Sequence, residues 1–174
     1  MEFRFETKYD QKGLAVMARA LRKTIHKKWN RIGLILGWCV VVLAALLVAA
    51  ERLLGEPWTL RDTMNSFVGV FLIAIMLTKN QINAFLAKKR MLPGTSSAKS
   101  VFTEESYTST TEVAVSEFHY EAVQQVCETA DYFVFLFSQR HGQIYDKATL
   151  SGGTAEEFRT FITEKTGKPI AYIK

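Results

Sequence analysis

Three histidines, His26, His119 and His141, and two cysteines, Cys39 and Cys127, are the side chains in this 174-residue chain best suited to metal ligation, acid–base work or nucleophilic attack. Each of those chemistries needs several such groups converging within ligand or hydrogen-bond reach. Here they are scattered through different segments, without a Gly-x-Ser-x-Gly elbow or a Walker phrase, and the acidic residues of the C-terminal half read as solvated. His119 and His141 are therefore read as surface or turn histidines, and the cysteines as small apolar fillers. No enzyme, metal, cofactor or small-molecule substrate is expected. The one cationic cluster suited to an anionic lipid headgroup is Arg140, His141 and Lys147, although the early turn at Glu104 and Glu105 carries the wrong charge for that job. Ser151-Gly152-Gly153 could form a phosphate cradle, but the helix start that follows carries its own carboxylates and reads as an ordinary turn.

Positioning begins with residues 32–50, which contain no charge and come close to the ~20 apolar residues that span about 30 Å of hydrocarbon. The run starts too far in and is too long for a signal peptide, and Glu51-Arg52 with a further apolar segment follows it. Residues 64–78 form the second, shorter span, aided by Pro57, Trp58 and Lys79 on its flanks. Residues 51–63 become a short extracytoplasmic loop with only Arg52 and Arg61 as basic residues. Arg19, Arg22, Lys23, Lys27, Lys28 and Arg31 lie upstream, and Lys79, Lys88, Lys89, Arg90 and Lys99 downstream. This distribution places both termini in the cytoplasm, and it brackets a membrane segment instead of forming the patch a nucleic-acid binder needs. Gly33 and Gly37 share a helix face and allow close backbone approach, with packing inside the hairpin preferred over a homo-oligomer contact.

Residues 1–31 supply a short strand, in which Phe3 and Phe5 alternate with polar residues, and a basic amphipathic helix carrying Leu14, Met17, Leu21 and Ile25. The strand is expected to pair with the C-terminal domain, and the helix to lie on anionic lipid. Residues 79–99 are a basic helical extension and a linker. Residues 100–174 change texture, with strands divided by turns at Glu104-Glu105, near Thr111-Glu112 and at His141-Gly142. The run around Phe133, Phe135 and Phe137 is apolar on both faces, so one face should enter a core and the other should meet a helix or a partner. Thr154 and Glu157 have capping-box spacing ahead of a helix ended by Gly167 and Pro169.

Strands followed by one amphipathic helix suit a pleckstrin-homology-like (PH-like) barrel. The phrase Val101-Phe102-Thr103-Glu104-Glu105, the element Tyr120-Glu121-Ala122-Val123 and the acidic-aromatic strand from Asp131 to Phe137 resemble the YcxB-like family of bacterial membrane proteins. The chain departs from that pattern at Asp146-Lys147, where such proteins often carry Pro-Lys. The resemblance implies an α+β membrane protein of the bacterial inner membrane: a two-helix transmembrane hairpin followed by a small cytoplasmic PH-like β-domain with a C-terminal helix. The expected role is a non-enzymatic interaction module that binds a protein partner through Phe133, Phe135 and Phe137 or an open strand edge. Anionic-lipid sensing and an accessory or immunity-type membrane subunit are the alternatives.

Overall fold

The computed structural model describes residues 2–138 and 141–173. The chain divides into two units, Lys27–Asn80 and a second made of Met1–His26 with Gln81–Lys174.

The first unit holds two helices, α2 (Lys27–Leu53) and the greater part of α3 (Leu60–Arg90). At about 1.5 Å per residue, the 27 and 31 residues of these helices reach roughly 40 and 46 Å, enough to cross a bilayer. None of the described residues of α2 is buried, and Leu43, Leu46, Phe67 and Val70 are each more than half exposed. The turn between the helices is closed by charge and capping. Arg52 donates to Asp62 at 3.1 Å and lies over the Trp58 ring, Arg61 pairs with Glu51, and Asp62 accepts from the Thr59 backbone at 2.8 Å. Asp62 thus caps the first turn of α3, where the helix dipole favours a carboxylate. At the other end, Lys79 donates to Asn30 at 2.9 Å.

The second unit contains two four-stranded sheets. One runs in the order β1 (Phe3–Lys8), β2 (Ser97–Phe102), β3 (Ser106–Thr110), β4 (Val115–His119), all antiparallel. The other has the order β7 (Gly142–Asp146), β6 (Tyr132–Leu136), β5 (Gln125–Glu128), β8 (Ile170–Tyr172), with β8 parallel to β5. The N-terminal strand pairs as expected, from Phe3 opposite Phe102 to Lys8 opposite Ser97. Its alternation is strict: Phe3, Phe5 and Thr7 face inward and are buried, while their neighbours are exposed. The linker expected at the end of residues 79–99 is cut short, because β2 already begins at Ser97.

Between the sheets lies an aromatic core. Phe5 and Phe102 of one sheet meet Phe133, Phe135 and Tyr145 of the other, and Phe158 of α4 (Ala155–Thr166) closes the end at 4.8 Å from Phe5 and 4.9 Å from Phe133. Most of these pairs are edge-to-face, the arrangement that the ring quadrupole favours. α4 starts with the expected capping box, Thr154 accepting from the Glu157 backbone at 3.2 Å and Glu157 from the Thr154 backbone at 2.7 Å. These bonds hold the Glu157 carboxyl below its ordinary range.

β6 is buried along its whole length, since its odd and even positions serve two cores. Tyr132, Val134 and Leu136 turn away from the aromatic core toward helix α1 (Gln11–Lys23), where Met17, Ala20 and Leu21 pack on them. The amphipathic helix therefore lays its apolar face on its own sheet, correcting the expectation of a lipid-bound helix. Gly13 makes this possible, because a Cβ there would come within 2.4 Å of Ile144 Cδ1. The Ser151-Gly152-Gly153 turn is also occupied by protein. Ser151 bridges to Arg4 of β1, and a Cβ on Gly152, which has φ +91°, would fall 2.0 Å from the Glu2 carbonyl oxygen.

Candidate functional site

Several elements of the β-rich unit converge on a cleft of about 780 Å³. α1 contributes Leu14 and Met17, the last turn of α3 and the residue after it contribute Ala87 and Met91, β4 contributes Ser116 and Phe118, the β6–β7 connection contributes Phe137, Ser138 and His141, and β7 contributes Gln143. The wall is mostly carbon, with a few neutral hydroxyls, one amide and one imidazole, and no carboxylate among the described lining residues. A site of this size and make-up falls within the range of small-ligand pockets, roughly 300–1,000 Å³.

Gln143 is the amide in that wall. Tyr107 and Tyr145 both donate their hydroxyls to its Oε1, at 3.0 and 2.5 Å. The amide is fixed by these two bonds, and Nε2 is left as a donor. Burial holds both tyrosine hydroxyls well above their ordinary range, so they remain protonated donors at any physiological pH. Tyr9, also on the wall, is pushed up to about 12 by burial.

The residues singled out from sequence do not assemble into one site. Phe133 and Phe135 are fully buried in the aromatic core, and Phe137 is partly buried against Phe118 with ring centroids 5.5 Å apart. The first two cannot be a partner-binding face, because the sheet that carries them turns that face inward. Phe137 alone reaches the cleft. His141 is exposed on the cleft wall, and Arg140 lies outside the described residues. Lys147 is taken out of the cationic trio by an ion pair, with Nζ 2.5 Å from Glu128 Oε1 and 2.6 Å from the Thr129 carbonyl, over the Phe133 ring at 4.8 Å. Of the two glycines, Gly37 faces α3, where an added Cβ would lie 2.9 Å from Met76 Sδ, whereas Gly33 faces open space. They do not form a joint contact.

Glu128 corrects the reading of the acidic residues as solvated. It is 1% exposed and accepts from Lys147 and, at 2.8 and 3.1 Å, from Arg159 Nε, while Arg159 Nη1 pairs with Glu156. Burial pushes the carboxyl up, but the hydrogen bonds and charges of Arg159 and Lys147 outweigh that and hold it below its ordinary value. The partners stand 19 and 31 residues away, so no local pattern could reveal the cluster. Cys127, its neighbour, is buried with its thiol pushed up to about 11 by burial, the behaviour of a filler.

No curated protein and no solved structure matches the chain. Residues 102–162, which run from the end of β2 through most of α4, match the family model described as YcxB-like protein, and with two apolar helices on its N-terminal side this chain carries a YcxB-like domain.

Proposed function

We propose that this protein is a membrane-anchored, non-catalytic binding module, held in the bacterial inner membrane by α2 and α3, with both termini in the cytoplasm. The observation that carries the reading is the β1–β2 ladder. It joins a strand that precedes the first apolar helix to a strand that follows the second, so the chain between them must cross a bilayer an even number of times. Two helices of spanning length meet that condition, and a single crossing would leave the paired strands on opposite faces. The large exposed side chains of both helices support insertion, because such a surface in water would favour aggregation. The cytoplasmic side is supported by the Lys and Arg residues outside the hairpin.

The β-domain suits a PH-like design, with two mainly antiparallel sheets around an aromatic core and α4 closing one end; β8 is an addition to that plan. With Phe133 and Phe135 buried, recognition falls to the cleft. Its neutral wall of hydroxyls and one fixed amide supports binding over bond-breaking chemistry. In membranes washed with alkaline carbonate, the full-length protein is expected to stay in the pellet, and tags on its two ends should both be reached only in inside-out vesicles. Release into the supernatant, or tags on opposite sides, would sink the reading.

A further inference from the structure

We propose that the cleft of the β-rich unit takes an acyl chain of an anionic phospholipid, with a headgroup or ester oxygen received by Gln143; this deepens the binding-module reading and rests on it. The cleft of about 780 Å³ presents Leu14, Met17, Met91, Phe118 and Phe137, a wall suited to a flexible hydrocarbon chain. Methionine fits such a ligand well, since its unbranched thioether adapts to irregular apolar shapes.

The polar part of the wall specifies what the chain must carry. Gln143 Oε1 is already occupied by the hydroxyls of Tyr107 and Tyr145, so the amide offers the cleft only its Nε2 donor. A fixed donor in an apolar wall selects a ligand with an acceptor oxygen and leaves an all-carbon ligand at a disadvantage. Charge points to an anionic headgroup. Ala87 in the last turn of α3 and Met91 just after it stand four residues apart, and helical spacing puts Lys88 and Arg90, both exposed, on either side of the line between them. An extended peptide is less well served, because its backbone needs a series of donors and acceptors along its length and this wall is largely carbon. The source of the ligand is also at hand: the helix that carries Ala87 and runs up to Met91 is the one whose earlier part forms the second apolar segment.

The test uses full-length protein in phosphatidylcholine nanodiscs doped with phosphatidylglycerol bearing a photoreactive diazirine on its acyl chain. After irradiation, mass spectrometry maps the labelled peptides. Labelling is expected at Met91, Phe118 or Phe137, in addition to the apolar helices. It should fall about tenfold in Ala122→Trp, which fills the cleft from an exposed position, and severalfold in Gln143→Glu, which keeps an oxygen for the two tyrosines but replaces the donor. Lys88→Gln with Arg90→Gln should lower it without altering the thermal melt. Label confined to residues 27–80 in reconstituted protein overturns the proposal, as does equal cleft labelling by a diazirine phosphatidylcholine probe. Labelling of the cleft that persists unchanged in both Ala122→Trp and Gln143→Glu, each melting like the parent protein, overturns it too. Protein that never enters the discs would instead defeat the anchor reading, and elutes visibly apart from them.

Discussion

Glu128 shows at residue scale how the β-rich unit tolerates an ion inside. Two cations and several hydrogen bonds offset its burial, and removing one partner leaves the rest uncompensated. Glu128→Gln should therefore destabilise the unit by about 3 kcal/mol, toward the lower end of what breaking a buried pair costs, because Arg159 keeps some contact with solvent. Since the folded-state carboxyl titrates below its ordinary value of 4.5, its contribution is complete above that pH and is lost as the pH falls through the lower folded value. Thermal melts from pH 7 down to about pH 3 should show the parent and Glu128→Gln converging in acid; a constant gap would contradict this. Such a residue is illegible in sequence, because nothing near Glu128 announces cations 19 and 31 positions on. Lys147 was misread for the same reason, its charge being visible and its partner not.

At the scale of elements, alternation and capping carried most of the information. β1, the capping box of α4 and the double-sided burial of β6 all follow from patterns within a few residues, and all are present. What the pattern could not say was which surface an apolar stripe would meet. For α1 it meets β6 and β7, and for Phe133 and Phe135 it is the core itself. β8 escaped notice because three residues, Ile170 to Tyr172, are too few to show a period. Replacing Gly152 with Val should be costly, since a side chain there collides with the Glu2 backbone and demands a left-handed conformation. A loss of at least about 2 kcal/mol in a denaturant titration is expected, whereas Gly167, whose added Cβ meets nothing, should lose less on replacement by Ala. Within the hairpin, Gly37→Ile should weaken helix packing and Gly33→Ile should leave it unchanged, as read by the yield of a disulfide between cysteines engineered into α2 and α3.

For the whole molecule, the aromatic core is the chief source of cohesion in the β-rich unit. Phe158 touches Phe3, Phe5, Phe102, Phe133 and Phe135, so Phe158→Ala should cost about 3–5 kcal/mol and expose β1 to proteolysis at lower temperature than in the parent. The two long apolar helices were legible in the sequence because a long apolar run needs no partner to be recognised. The cleft was not, because its wall is gathered from α1, α3, β4 and the β6–β7 connection, segments that meet only after folding.

The ladder between β1 and β2 also sets an order on biogenesis. The ribosome delivers Phe3 to Lys8 before either apolar helix, yet their hydrogen-bonding mates at Ser97 to Phe102 emerge only after the hairpin has left the exit tunnel. The first strand must wait, unpaired and carrying two phenylalanines, while the two apolar helices that follow it are made. Closure of so long a loop is slow compared with forming a local hairpin. Maturation of the β-rich unit is thereby tied to completed synthesis of the apolar hairpin, and a nascent chain stalled part-way would be left with an exposed amino-terminal ribbon for quality-control proteases to find.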